Sequence, residues 1–281
     1  MRKTILSTTV AALCSAALLI ACGDKRAAQP PQPPQPPQAT QAAPAAQPPA
    51  AAPSAAGGVT IQQAKEHYAS FYKEKPADLV VRGTFVPGLF KAHSTQALTV
   101  VYFEPKGLLW GDRGVRRWER GENALPADES AKLRRERAAA IPKDALFVFS
   151  HGKGGAPSMI LTSAVNCGSC AGLERELSGM DVSYKAALIV NGSDASDMAR
   201  LDAAACSKEP QKAWEAMREG KPVSGGGCQW QGETAKDVGD LVTGDLSGVT
   251  PTAYFPDGTT AVGREAVLRK LKETIASGAS L

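Results

Sequence analysis

The chain has 281 residues and a formal net charge of +4, and 43% of its residues are hydrophobic. Four basic residues and one acid in the first 26 positions supply +3 of that charge, so the remainder is nearly neutral at +1. Two basic stretches, residues 113–120 and 132–137, are interleaved with acids, which is typical of solvated faces rather than of binding patches. We therefore expect no nucleic-acid partner, since phosphate binding needs a concentrated basic surface.

The first residues have the layout of an export signal. Arg2 and Lys3 precede an apolar run over residues 10–20, which is too short to span a bilayer comfortably. The following Leu-Ile-Ala-Cys, ending at Cys22, resembles the lipobox of bacterial lipoproteins, whose chain is cut before the cysteine and whose sulfur carries a diacylglycerol. The alternatives are an ordinary secretory signal or a short membrane anchor. The export signal predicts a periplasmic location, where disulfides persist.

A low-complexity segment follows the lipidation motif. Residues 27–58 consist almost entirely of Pro, Ala and Gln and contain no charged residue. Such a composition favours an extended, polyproline-like chain that could reach on the order of 90 Å. We interpret residues 22–58 as a lipid anchor with a tether, although a spacer without a set length would behave similarly. Gly23 and Asp24 do not form the usual inner-membrane retention signal, so we expect the outer membrane.

Residues 59–125 are predicted to form a small α+β unit. Apolar residues at helical spacing predict a helix over residues 59–72, and strand-like stretches follow at 79–85, 97–103 and 108–110. The unit has little core of its own, and such units often gain stability by pairing with a copy of themselves. An Ala- and Glu-rich stretch bracketed by prolines then predicts an exposed linker helix over residues 127–140, within a linker of 126–144.

From residue 145 to the end, strands and helices alternate. The predicted order is a pair of strands, a helix that begins with a CxxC motif, a buried strand, a helical insert, a hairpin and a closing helix. This order predicts an α/β thioredoxin-like catalytic domain with a helical insert. The predicted elements are strands at 146–150, 158–162 and 182–190, a helix at 170–180, a broken helical stretch at 193–242, a hairpin at 252–255 and 260–263, and a helix at 265–275.

The CxxC motif is Cys167-Gly168-Ser169-Cys170. Its first cysteine is predicted at the start of a helix, where unpaired N–H groups and the helix dipole stabilise a thiolate. The thiolate is the form that attacks a disulfide, so we interpret Cys167 as the nucleophile and Cys170 as the resolving residue. No His or Lys lies between them, so the helix position must supply most of the activation.

Two other interpretations of the CxxC motif remain open. It could be half of a zinc site, but Cys206 and Cys228 form no second CxxC and the three histidines are scattered along the chain. It could also be a purely structural disulfide, although such short loops are reducible and better suited to redox chemistry. We expect no metal and no cofactor.

Cys206 and Cys228 flank a predicted helix inside the insert. In an oxidising compartment they are expected to form a structural disulfide that stabilises the fold by roughly 3 kcal/mol. The alternative is a second redox pair, which their long spacing disfavours. Ahead of the hairpin, Thr250-Pro251 is a candidate for a cis peptide bond, and its loop could face the CxxC and pair with an extended client segment.

From Cys167 onward the chain resembles the DsbC/DsbG family of periplasmic protein disulfide isomerases. The matching features, in order, are CGSC at 167–170, DAAACSK at 202–208, KAW at 212–214, GK at 220–221, Cys228 and Thr250-Pro251. More weakly, residues 86–89 and 107–111 resemble that family's N-terminal dimerisation domain, and residues 127–140 its linker helix. The chain departs from the pattern of that family in three features: the Gly-Ser dipeptide inside the CxxC, a strand at 161–166 without an acid, and the lipid tether.

The resemblance implies a homodimeric thiol–disulfide oxidoreductase that acts on misoxidised or unfolded exported proteins and is kept reduced by a membrane electron donor of the DsbD type. It also implies that Thr250 precedes a cis-proline and helps to set redox behaviour and client binding. The alternatives are a DsbG-like sulfenic-acid reductase and a tethered envelope chaperone without redox turnover. An oxidase is disfavoured because no His lies inside the CxxC, a point that rests on analogy.

Overall fold

Two five-stranded sheets dominate the described part of the chain. The structure is a computed structural model that describes residues 58–95, 100–105, 107–111, 114–117, 125–192, 194–225, 228, 232–243 and 249–281. All of these residues belong to one compact unit, Pro49–Leu281. The predicted signal peptide, Cys22 and the tether up to residue 57 lie outside the described residues, as do residue 113 and residues 118–120 of the basic stretch at 113–120.

The first sheet is an antiparallel meander in the order β1-β2-β3-β4-β5. Helix α1, Ile61–Tyr72, precedes it and begins with a capping box in which Thr60 and Gln63 satisfy each other's backbone N–H groups. The strands are β1 Leu79–Gly83, β2 Phe90–Ser94, β3 Val100–Phe103, β4 Leu108–Gly111 and β5 Gly114–Arg117. The sequence predicted α1, β1, β3 and β4 but not β2 or β5, both of which carry basic side chains.

The second sheet has the order β10-β9-β7-β8-β6. Strands β7 and β8 are parallel, whereas β6, β9 and β10 each run antiparallel to their neighbours. The elements are β6 Phe147–His151, β7 Ile160–Ala164, α3 Gly168–Leu177, β8 Val182–Ile189, α4 Ala195–Ala205, α5 Pro210–Arg218, α6 Gly232–Val238, β9 Thr252–Tyr254, β10 Thr260–Val262 and α7 Arg264–Ser277. This mixed α/β arrangement is compatible with the expected thioredoxin-like fold.

Alternation along the central strands gives the second sheet two different buried faces. Leu161 of β7 lies in a core with Leu173 of α3, Trp214 of α5 and Leu271 of α7. Its neighbour Ile160 lies in a different core, on the opposite face. Strand β7 is buried at every position, as expected for a central strand covered on both faces.

The opposite face is shared with the first sheet. Tyr102 and Trp110 of the first sheet lie in one hydrophobic cluster with Ile160, Val238 and Tyr254. The sequence analysis expected the small N-terminal unit to gain its core by pairing with a copy of itself. In the structure it shares a core with the C-terminal part of its own chain; homodimer formation stays a prediction.

Helix α2, Ala127–Ala140, has the bounds predicted for the linker helix but is not simply exposed. Arg137 is 4% exposed, and its guanidinium lies 3.3 Å from the ring centroid of Trp110. Burial lowers the pKa of Arg137 to about 9. The basic stretch 132–137 therefore supplies one packing contact as well as a solvated face. No helix among the described residues is long and apolar enough to cross a bilayer.

Candidate functional site

Cys167 lies where strand β7 gives way to helix α3, and it is the N-cap residue of that helix. Its Sγ accepts the backbone N–H of Cys170 at 3.1 Å, so one of the unpaired amide groups of the first turn points at the sulfur. The two cysteines are joined as a disulfide, with their Cα atoms 5.3 Å apart. Cys170 is fully buried whereas Cys167 is partly exposed, so an incoming sulfur would reach Cys167 first.

The loop before β9 brings the predicted Thr250-Pro251 pair to the same place. The peptide bond between these residues is cis, and the carbonyl oxygen of Thr250 lies 3.4 Å from the Sγ of Cys167. The sulfur is thus placed between a donor, the Cys170 N–H, and an acceptor, the Thr250 carbonyl. Val249, which precedes Thr250 in this loop, is 47% exposed.

An asparagine pair that sequence reasoning missed connects three loops around Cys167. The Asn166 side chain donates to the carbonyl of Asn191 at 2.8 Å and accepts the Asn191 N–H at 3.1 Å. The Asn191 side chain in turn donates to Oγ1 of Thr250 at 3.1 Å. The segment after β8 therefore fixes both the residue before Cys167 and the residue before Pro251. The position of Asn166, directly before the CxxC, is the one sequence signal that could have drawn attention to it.

A charged cluster beneath Cys167 was also missed. We call Ser163, Glu174, Trp214 and Arg218 the α3–α5 cluster. The Glu174 carboxylate accepts from the Trp214 indole N–H at 2.9 Å and from the Nε and Nη2 of Arg218 at 3.1 and 3.0 Å. The side chains of Arg218 and Glu174 are only 9% and 14% exposed. Strand β7 carries no acid, and the acid of this cluster lies on the helix that carries the cysteines.

Cys206 and Cys228 are joined as a second disulfide, with their Cα atoms 5.5 Å apart. Cys206 caps the C-terminus of α4, and Cys228 is exposed. Helix α5 lies between the two cysteines in sequence and carries Arg218 to the CxxC. The pair does not join Cys167 in one site, and its structural role stays a prediction.

The described residues hold no group of three or more His, Cys, Asp or Glu side chains that could bind a metal ion. A cavity of about 560 Å³ adjoins the α3–α5 cluster and is lined by Tyr184 and His151 as well as by Trp214. Burial, with the Glu174 carboxylate nearby, raises the pKa of Tyr184, so its phenol stays protonated at neutral pH.

Among known proteins, only solved structures give a match to this chain. No protein-family model and no curated protein sequence matches the chain. Among solved structures, the chain is similar to a disulfide interchange protein from Neisseria gonorrhoeae, with 26% sequence identity and a TM-score of 0.39. That match covers 46% of this chain and 96% of the other.

Proposed function

We propose that the protein is a thiol–disulfide oxidoreductase that reduces or isomerises disulfides in exported proteins. The observation that carries this proposal is the placement of the Cys167 sulfur. It is partly exposed, accepts an N–H at the start of α3, faces the Thr250-Pro251 loop and has the buried Cys170 as its partner. A helix start of this kind stabilises the thiolate that attacks a disulfide.

The reaction begins with the reduced dithiol. The Cys167 thiolate attacks one sulfur of a client disulfide, forms a mixed disulfide and releases the other client sulfur as a thiolate, which takes a proton. Cys170, after losing its proton, attacks the Cys167 sulfur, so the client leaves with two added electrons and the protein holds the 167–170 disulfide. In isomerisation the released client thiolate instead attacks a second client disulfide and frees one of its sulfurs as a thiolate. That thiolate attacks the client sulfur of the mixed disulfide, so the Cys167 thiolate leaves and no net oxidation occurs.

Repeated reduction needs an external source of two electrons, which we propose to be a membrane dithiol donor of the DsbD type. We further propose a periplasmic location with a lipid on Cys22, and a homodimer in which each copy presents one site to the client. Three sequence features support these assignments: the lipobox-like ending at Cys22, the uncharged segment 27–58, and the DsbC/DsbG-like motifs between Cys167 and Pro251. No cofactor is proposed, because the cysteine pair itself carries the electrons.

The proposal is tested with a scrambled multi-disulfide client in a glutathione buffer. We expect the reduced protein to restore the native client, and Cys167→Ala to abolish this activity. Cys170→Ala should accumulate a mixed disulfide with the client, because the nucleophile is present and the resolving thiol is absent. Full activity of Cys167→Ala would refute the proposal and leave a chaperone role. Faster reduction of a sulfenylated protein than of disulfides would reassign the site to a sulfenic-acid reductase.

A further inference from the structure

We propose that Arg218 is a positioning residue for Cys167, and that the balance of charge between Arg218 and Glu174 tunes how well the Cys167 thiolate is stabilised. This inference rests on the proposed dithiol function but concerns a residue outside the CxxC and the cis-proline loop. Arg218 lies 51 residues beyond Cys167 in the sequence, at the end of the insert helix α5.

The first support is where the guanidinium of Arg218 donates its hydrogen bonds. Its Nη1 donates to the carbonyl oxygens of Val165 and Cys167, at 2.9 and 3.3 Å. These two carbonyls belong to the turn in which β7 ends and α3 begins. The Cys167 carbonyl also accepts the N–H of Ala171, so the guanidinium reinforces the first hydrogen bond of the helix. The backbone that aims the sulfur is thus held directly by Arg218.

The second support is the pairing on the other side of the guanidinium. Arg218 binds Glu174 in a fork, through Nε to one carboxylate oxygen and Nη2 to the other. Its Nη2 also donates to Oγ of Ser163 at 2.9 Å. Trp214 and Ser163 donate the remaining hydrogen bonds to Glu174. A partly buried pair with all its partners in place has little freedom, and its two charges act on their surroundings at low local dielectric.

The third support is the rigidity of the element that presents Arg218. Arg200 of α4 donates to the carbonyl of Met217 at 2.9 Å, directly before Arg218. Gln211 at the start of α5 accepts the N–H of Ser150 at 3.2 Å, which fixes the helix to the edge strand β6. The disulfide between Cys206 and Cys228 brackets the whole helix. The insert therefore positions the arginine against the cysteine turn.

Removing the positive charge of Arg218 and removing the negative charge of Glu174 should have opposite effects on the stability of the Cys167 thiolate. In Arg218→Met the positive charge and the two carbonyl contacts are lost, so the thiolate of Cys167 is less stabilised. In Glu174→Gln the arginine keeps its carbonyl contacts but loses its counter-charge, so the thiolate is more stabilised. The double variant should fall between the single ones, and Arg218→Lys should recover part of the effect, because lysine keeps the charge but not the fork.

The experiment measures the rate at which iodoacetamide alkylates Cys167 in the reduced full-length protein, as a function of pH, with mass spectrometry to identify the site. The dithiol–disulfide equilibrium constant against glutathione is measured in parallel. We expect the midpoint pH of alkylation to rise in Arg218→Met and to fall in Glu174→Gln. The equilibrium constant should change by about fivefold in opposite directions, which is the net contribution expected of one typical hydrogen bond.

Arg264→Met is the matched control, because Arg264 pairs with Glu176 on the same helix α3 but on its exposed side. It should leave both readouts unchanged. If both site variants shift the midpoint in the same direction, or neither shifts it, the inference is wrong. If Arg218→Met does not fold, Glu174→Gln and Arg218→Lys still show in which direction the midpoint pH of alkylation shifts. Opposite shifts without client turnover would refute the proposed function alone, and turnover without opposite shifts would refute this inference alone.

Discussion

Two clusters of charged side chains lie on opposite sides of the second sheet, and they differ in what they contact. The inter-sheet cluster consists of Arg82, Lys91, Tyr102, Asp237 and Asp240, and the cluster at the cysteines contains Glu174 and Arg218. The first joins side chains of the N-terminal sheet to helix α6 and the turn after it. The second ends on main-chain carbonyls of the cysteine turn. The inter-sheet cluster holds two parts of the fold together, whereas the α3–α5 cluster contacts the turn that carries Cys167.

The inter-sheet cluster is centred on Asp237, which is 1% exposed. Its carboxylate accepts from both terminal nitrogens of Arg82 at 2.7 Å, from Lys91 at 3.1 Å and from the Tyr102 hydroxyl at 2.8 Å. Three donors of the first sheet thus converge on one acid of helix α6. Loss of Asp237 would leave the buried Lys91 with only the more distant Asp240, at 3.8 Å. Removing the partner of a buried charge costs far more than losing an exposed pair.

The largest expected effect comes from Asp237→Ala. It should lower the free energy of unfolding by about 3–5 kcal/mol, because Arg82 and Lys91 lose their buried counter-charge. The rate of Cys167 alkylation should stay unchanged in the protein that remains folded. Chemical denaturation followed by circular dichroism measures the first quantity, and site-resolved alkylation the second.

Glu233→Ala is the control for this prediction, since Glu233 also pairs with Arg82 but its side chain is 73% exposed. Its cost should be at most about 1 kcal/mol. Equal losses in the two variants would contradict the view that burial of the charge, rather than its presence, makes the inter-sheet cluster matter.

A smaller effect on stability is expected at the uncharged pair Asn166 and Asn191, which also contacts the loops around Cys167. Asn191→Ala removes the side-chain hydrogen bond to Thr250 and should cost about 1 kcal/mol of stability. It should also slow the reaction of Cys167 with a client disulfide, because the Thr250 loop is no longer fixed. Denaturation and stopped-flow kinetics of mixed-disulfide formation measure these two changes.

Asn166→Ala is the comparison for the kinetic part. It removes the reciprocal pair with the Asn191 backbone but leaves the side-chain donor to Thr250 in place. It should therefore slow the reaction less than Asn191→Ala does. The reverse order would show that the segment before Cys167, rather than the Thr250 loop, governs the reaction.

The smallest effect is expected at Asp240, where burial raises the pKa above the ordinary value of 3.8. A carboxyl group whose pKa is raised by folding contributes stability below its unfolded pKa and loses that contribution as pH rises through the folded pKa. Asp240→Asn removes this dependence. Its unfolding free energy relative to the parent protein should therefore increase from pH 4 upward, by about 1 kcal/mol or less. A relative stability that falls over the same pH range would contradict the assigned direction.

Local patterns in the sequence were sufficient for elements whose cause is local. The linker helix was predicted with its observed bounds because its composition favours a helix and prolines bracket it. The start of α3 was placed at Cys170 rather than Gly168, since helix starts are poorly marked when the capping residue is a cysteine. The strands 146–150 and 158–162 were predicted within two residues of β6 and β7.

What the sequence could not reveal depends on contacts between distant residues. Lys91 gives the sequence of β2 a polar character. Its burial is offset by two distant acids, Asp237, which lies 146 residues away in the sequence, and Asp240. Arg218 reads as one more exposed cation of an insert helix, and its role depends on the packing of α5 against α3. Periodicity carries no information on such pairings, which arise when sheets and helices pack.

The reactivity of Cys167 in the reduced, folded protein tests the central claim most directly. Iodoacetamide labelling across pH, read by mass spectrometry at each cysteine, should show Cys167 reacting at a rate that has already levelled off near neutral pH, with the buried Cys170 unlabelled. Such a profile is that of an ionised and accessible sulfur. A Cys167 that reacts no faster at neutral pH than the same cysteine in the unfolded chain would contradict the account.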